Sequence, residues 1–209
     1  MMESLRIFLS TFIKALTIST IFILCFCSLP QSKYADKKYL HEVVLLDNSL
    51  SEDDIPLVVE ALRSWECSTR GIVQFTIIKY PTQYDLQYIT DLDHTVIIEN
   101  VPRTDYRITE QDVGMPPGLH VIGLFTRSGS SIPEILLTKE LLSGDRQYVL
   151  LTEHEVGHSL GLDHIEHPTG NVYPVMYPSP GTSDGITNED LLQLAQIYGL
   201  NLRDMGPCQ

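Results

Sequence analysis

The string HEVGHSLGLDH, from His154 to His164, constrains this chain more than any other feature, because it specifies a helix, the end of that helix and a metal site together. Residues four apart on an α-helix share a face, so His154 and His158 present two imidazoles to one point, with Glu155 a short way round the cylinder. Gly161 can take the left-handed conformation that ends a helix, after which the chain turns and returns His164 as a third nitrogen ligand. Three protein ligands leave one tetrahedral position open, which is the arrangement of a catalytic zinc and not of a closed structural one. Such a metal lowers the pKa of water to about 7 and polarises a carbonyl, and Glu155 is placed to take the water's proton and pass it to a leaving amine. The chemistry implied is amide-bond hydrolysis. Chance is a poor alternative, since five specified positions coincide on the order of once in 100,000 sequences of this length. A purely structural zinc site is a second alternative, but it gives a carboxylate beside two ligands no purpose.

Downstream, Tyr173-Pro174-Val175-Met176-Tyr177-Pro178 is a turn candidate carrying a methionine. With the HExxHxxGxxH pattern, it makes the chain resemble the metzincin zinc endopeptidases. Within that clan it is most similar to the matrixins, which share the GLDH-like run into the third histidine and the Met-Tyr-Pro turn. They also share a last helix that starts on an acidic cap and ends in Tyr-Gly, here Thr187-Asn188-Glu189-Asp190 through Tyr198-Gly199. The resemblance spans roughly residues 41 to 200, and its specific motifs lie in the final third.

The resemblance implies an α/β (α+β) zincin fold. Such a fold has a twisted, mostly parallel five-stranded sheet with one antiparallel edge strand, two long helices, and a small irregular carboxy-terminal subdomain with one helix. It further implies one catalytic Zn2+ held by His154, His158 and His164, Glu155 as general base, and Met176 as an apolar floor under the metal. Tyr177 and Pro178 would line the pocket for the side chain after the scissile bond.

Three departures matter. Ile165 follows the third histidine where matrixins usually place Ser, adamalysins Asp and astacins Glu, so the subfamily stays open. The twelve-residue step from His164 to Met176 is a few residues longer than in a typical matrixin, with His167-Pro168-Thr169-Gly170 in the extra loop. His167 reads as an exposed loop histidine and not a fourth ligand. No histidine-rich and aspartate-rich loop of the kind that holds structural zinc and calcium is present, so those metals are not carried over and structural calcium is left open.

Export is expected from the amino terminus, where Arg6 and Lys14 precede an apolar run from Ala15 to Cys27 that is short for a bilayer span. Residues 1–30 then form a signal peptide or lipoprotein-type export segment, 31–40 a short tether and 41–209 the catalytic domain. An uncleaved membrane anchor is the alternative. Cys25 or Cys27 is a candidate for lipidation, against which Phe26 is bulky for such a site. These readings give a secreted or cell-envelope location, with membrane contact only through a lipid or an anchor. Ten tether residues without a cysteine are too few for an inhibitory propeptide, so activity is expected on folding and zinc binding.

Without residues 1–30 the chain carries 12 basic against 26 acidic residues, net −14, which excludes nucleic acid and anionic lipid as partners. Cys67 and Cys208 then remain, and in an oxidising compartment they either pair, fastening the tail to the first long helix, or stay as two thiols. Astacins have a bond of similar placement.

Along the chain, His41–Asp47, Ile72–Lys79, Thr95–Glu99, His120–Thr126 and Glu134–Thr138 read as strands. Ser51 and Asp54 form a cap pair for a helix to about Cys67 that turns Ile55, Val59, Leu62 and Trp65 to the core. The motif helix should run from Gly144-Asp145 through Leu160. His120–Thr126 is the edge strand by resemblance, and an open edge accepts an extended protein or peptide substrate as an added strand. The segments Gln83–Asp93 and Val101–Pro117 read as long and irregular. Oligomeric state has no signal. The reading is an exported zinc endopeptidase, with a catalytically silent zinc-containing surface binding or adhesion protein as the alternative.

Overall fold

The computed structural model describes residues 40–81, 94–111, 121–127, 131–179 and 182–206. The chain divides into Met1–Ala35 and Asp36–Gln209, and the fold described is that of the second unit. The export segment and the tether up to residue 39 lie outside the described residues.

In strand β1 (Leu40–Leu46), Leu40, Glu42, Val44 and Leu46 turn to the face that receives the helices, and Leu45 is fully buried on the other. Helix α1 (Asp54–Ser68) begins on the predicted pair: Ser51 Oγ donates to Asp54 Oδ2 at 2.6 Å and Ser51 N donates to the same oxygen at 3.1 Å. Its buried stripe is Ile55, Val58, Ala61, Leu62 and Trp65. Val58 is fully buried and Val59 only half-buried, which corrects the expected stripe. Spacings of three and four both fit a 3.6-residue period, and adjacent valines leave sequence no means of choosing.

The chain returns as β2 (Val73–Lys79), parallel to β1 with Leu40 opposite Val73, completing the βαβ unit. Strand β3 (Thr95–Asn100) pairs with β1 on its other side, and β5 (Glu134–Leu137) extends the sheet in parallel. Strand β4 (Gly123–Thr126) lies antiparallel on β5 at the edge, with Leu124 opposite Leu136. The sheet order is β2-β1-β3-β5-β4, the mostly parallel five-stranded sheet with one antiparallel edge that was expected. The edge strand is shorter than its sequence run. His120 lies outside the described residues, and Val121 and Ile122 precede the strand, although the Thr138 amide still donates to Ile122 O at 2.9 Å.

Residues 101–111 are not wholly irregular. They contain a one-turn helix α2 (Tyr106–Thr109) whose cap, Asp105, accepts from the Arg107 amide. The Arg107 guanidinium reaches Glu99 at 2.7 Å, Glu134 at 2.8 Å and Asp105 at 3.0 Å, tying α2 to β3 and β5. Ile108 joins Val101 and Leu136 in a small core on the sheet face away from the long helices, with Val121 and Leu124 packed on it. One turn is too short for a periodicity signal, so sequence could not show it.

Helix α3 (Asp145–Ser159) carries the motif, and α4 (Asn188–Tyr198) is the last α-helix among the described residues. The start of α3 is set by a part-buried polar network at the carboxyl ends of the strands. Asp54 pairs with Lys139 and accepts from Asn100 Nδ2 at 3.0 Å, while Tyr148 donates its hydroxyl to Asn100 Oδ1 at 2.8 Å. Trp65 Nε1 donates to Glu153 O at 2.9 Å and links α1 to α3 midway.

Cys67, near the end of α1, is disulfide-bonded, and Cys208 lies outside the described residues. The tail nevertheless returns to this helix end: Gly206 N donates to Ser68 O at 2.8 Å and Met205 is buried. A Cys67–Cys208 bond is therefore expected. Mass spectrometry of the non-reduced protein should show one linked peptide, and reduction should cost about 2–5 kcal/mol of stability. Recovery of Cys67 joined to a different cysteine would overturn the pairing.

Candidate metal centre

Helix α3 is buried from Tyr148 through Gly157 without a break, because α1, the sheet and the carboxy-terminal segment surround it. A helix buried on all sides is ordinarily apolar throughout. This one instead buries Thr152, Glu153, His154 and Glu155 in succession. Thr152 is satisfied by its own helix, donating to Tyr148 O at 2.9 Å. Burying an imidazole and a carboxylate side by side carries a desolvation cost that a structural role does not explain.

The helix ends as its sequence requires. Gly161 takes φ +86°, Gly161 N donates to His158 O, and Leu162 N donates to Gly157 O, so the chain folds back within one turn. That reversal returns His164 against the helix, with its Nε2 at 3.2 Å from His154 Nε2 and 3.2 Å from His158 Nε2. The three ligand atoms all lie within 4.8 Å of one another, with His154 buried, His158 half-buried and His164 exposed. His167 is exposed and outside this group.

The donor set fits zinc. A tetrahedral ion with Zn–N bonds of about 2.0–2.1 Å separates its nitrogen ligands by about 3.3–3.4 Å, close to the spacing found. The outer ring nitrogens are engaged by backbone carbonyls: His154 Nδ1 donates to Val175 O at 2.7 Å and His158 Nδ1 to Leu162 O at 2.8 Å. A proton on Nδ1 leaves Nε2 as a lone pair, so these rings turn lone pairs toward a common point, which a cation satisfies and a proton does not. Burial pushes His154 down to about 3, with the neighbouring histidines adding to the effect, and burial likewise lowers His158. Both are neutral, as metal ligation needs.

Glu155 is buried on the neighbouring face of α3, toward the edge strand. Burial pushes its carboxyl up to about 8, opposed by a hydrogen bond from the Phe125 amide of β4.

Met176 is fully buried in its turn and packs against α3 at Gly157, where any Cβ would collide with its sulfur and lie 3.3 Å from Trp65. A methionine is therefore seated on the helix at Gly157, the residue before His158. Tyr177 is half-buried with its ring 4.9 Å from that of Tyr173, and Pro178 is exposed. A cavity of about 510 Å³ lies nearby in sequence, between Thr169, Val172 and the start of α4, and neither Tyr177 nor Pro178 lines it.

Sequence reading missed what holds this turn. Asp190, fully buried on α4, accepts from Val175 N at 3.1 Å, Met176 N at 3.0 Å and Thr187 N at 2.7 Å, and Thr187 Oγ1 donates to it at 2.9 Å. Thr187 and Asp190 form a capping box, the only part of this arrangement with a sequence signature. The extra loop is tied down too, since Thr169 N donates to Glu189 at 2.6 Å and Ile165 N to Met176 O at 2.8 Å. Tyr198 donates to Leu160 O at 2.9 Å and docks α4 on the end of α3.

Solved structures similar to this chain include metalloproteinase-II from Bacteroides fragilis, at 14% identity and TM-score 0.45, covering 81% of this chain and 58% of that one. High choriolytic enzyme 1, a hatching enzyme zinc-protease from Oryzias latipes, is similar at 15% identity and TM-score 0.46, covering 85% and 98%. Archaemetzincin from Methanopyrus kandleri is similar at 13% identity and TM-score 0.46, covering 78% and 97%. The chain thus spans 58% of the length of the Bacteroides fragilis protein and nearly all of the other two. No curated protein matches the sequence. The family model described as Matrixin matches residues 137–199. That stretch is similar to the matrixin family, and the three histidines whose nitrogens converge all fall inside it.

Proposed function

We propose that the protein is an exported zinc endopeptidase that uses Glu155 as its general base. The observation that carries this reading is the convergence of three imidazole nitrogens beside a buried carboxylate on the same helix. His154, His158 and His164 would hold the ion. When bound, zinc supplies a Lewis acid that polarises a substrate carbonyl and makes water a nucleophile near neutral pH. Glu155 takes the proton of the attacking water and delivers it to the leaving amine, and its burial raises its basicity for that task. Val175 O and Leu162 O hold the first two rings in the ligating orientation. Met176, fully buried against Gly157, would form an apolar floor under the metal.

The substrate is a protein or peptide in extended form. The outer side of β4 pairs with no strand among the described residues, and an extended chain added there can pair with backbone groups turned outward, such as those of Gly123. Pairing along a strand favours cleavage within a chain over trimming of its ends. Export is supported by the apolar run Ala15–Cys27 behind Arg6 and Lys14, and by the disulfide at Cys67, which suits an oxidising compartment.

The experiment is digestion of a mixed peptide library by the zinc-loaded full chain. Internal cleavage that a chelator abolishes and added zinc restores is expected, and His158→Ala should lose both the metal and the activity. Stoichiometric zinc without any cleavage would replace this reading with that of a silent surface binding or adhesion protein.

A further inference from the structure

The strand that edges the sheet also touches the proposed base, and it does so at a glycine. Gly123 is not among the residues with positive φ, so its backbone would accept any L-residue. Space is what forbids one. A Cβ at position 123 would lie 2.5 Å from Glu155 Oε1, 2.7 Å from Leu151 Cδ1 and 3.0 Å from Glu155 Cδ. Neither neighbour has room to withdraw, because Leu151 is 1% exposed and Glu155 4%.

Two residues on, the Phe125 amide donates to the Glu155 carboxylate. Strand geometry makes this possible. Ile122 O accepts from Thr138, so the even-numbered residues of this strand turn their backbone groups inward to β5. Gly123 and Phe125 turn theirs to the open edge. A carboxylate rising from α3 can meet the outward amide of Phe125 only if the strand lies directly on it, and a bare Cα at 123 permits that approach.

We infer that Gly123 is a positioning residue: by letting the edge strand lie on Glu155, it allows the Phe125 amide to hold one carboxylate oxygen and so fix the direction of the other. This rests on the reading of Glu155 as general base. The ligands come from α3 and the turn after it, so metal binding does not depend on this contact. A carboxylate free to swing would lose the alignment that proton transfer needs, and misplacement on the scale of 1 Å is enough to cost about 100-fold in rate.

Two measurements on the zinc-loaded full chain test this. In Gly123→Ala, zinc stoichiometry should stay at the wild-type value and KM should change by less than about threefold, while kcat falls by about 10- to 100-fold. Ile108→Ala, which thins the small core on the opposite sheet face from a position outside β4, should lower Tm and leave kcat per bound zinc unchanged, separating alignment from loss of stability. Independently of turnover, the Phe125 amide should exchange with solvent at least about 10-fold faster in Glu155→Ala than in wild type, because its acceptor is gone. Gly123→Ala with full zinc and wild-type kcat overturns the inference, as does a Phe125 amide indifferent to Glu155→Ala. The exchange readout decides the contact even if Gly123→Ala fails to fold. Failure of the wild type to cleave any peptide, with the amide still coupled to Glu155, would sink the endopeptidase reading and leave this contact standing.

Discussion

Glu155→Gln is expected to bind zinc as the wild type does and to lose peptide-bond turnover by at least about 100-fold. Glutamine keeps the length and shape of the side chain, and its amide oxygen can still accept from Phe125, so the strand and helix stay in place. The three imidazoles are untouched, and their outer nitrogens remain bonded to Val175 O and Leu162 O. The one thing removed is a group that can take a proton. The check is to measure zinc content and kcat on the same preparation. A variant with full zinc and wild-type turnover would show that the proton goes elsewhere. Glu155→Ala is a worse probe, because it also removes the side chain on which β4 rests.

The sequence made the ligand set legible because its geometry is local. A helical repeat of four, a left-handed glycine and a short return are all encoded within eleven residues, and the structure brings those histidines together. The sheet was legible for a similar reason: strands with alternating or continuous apolar residues, separated by helices or turns, leave few permitted topologies. Elements set by distant partners were not legible. The choice of Val58 over Val59 for the core depends on what α1 packs against, and the turn at Tyr106 is held by Arg107 reaching carboxylates on two strands. Gly123 carries no motif at all. Its requirement comes from a side chain 32 positions away, which only folding brings within contact.

Asp190→Ala should be the most destabilising single change in the carboxy-terminal part of the chain, at about 3–5 kcal/mol. That estimate follows from what is left behind. Three backbone amides, of Val175, Met176 and Thr187, lose their acceptor, and each buried unsatisfied donor costs about 1–3 kcal/mol, with some relief from local relaxation. Domains of this size are stable by about 5–15 kcal/mol, so the loss consumes a large share. Asp190 is fully buried, and although burial raises its pKa, the hydrogen bonds from Thr187, Met176 and Val175 oppose the shift. Metal affinity should fall as well. The Val175 peptide receives a hydrogen bond from the first ligand through its carbonyl and is held to Asp190 through its amide, so a loosened turn frees the His154 ring. Asp190→Asn keeps the shape but offers one accepting oxygen where two are used, and its NH2 would face a donor. Its effect should lie between wild type and alanine. Urea unfolding of zinc-loaded and chelator-treated protein separates the two contributions: the chelated form reports the loss of buried hydrogen bonds, and the difference between forms reports the weakened site. A change below about 1 kcal/mol with undiminished zinc affinity would mean that the turn under the metal holds itself without α4.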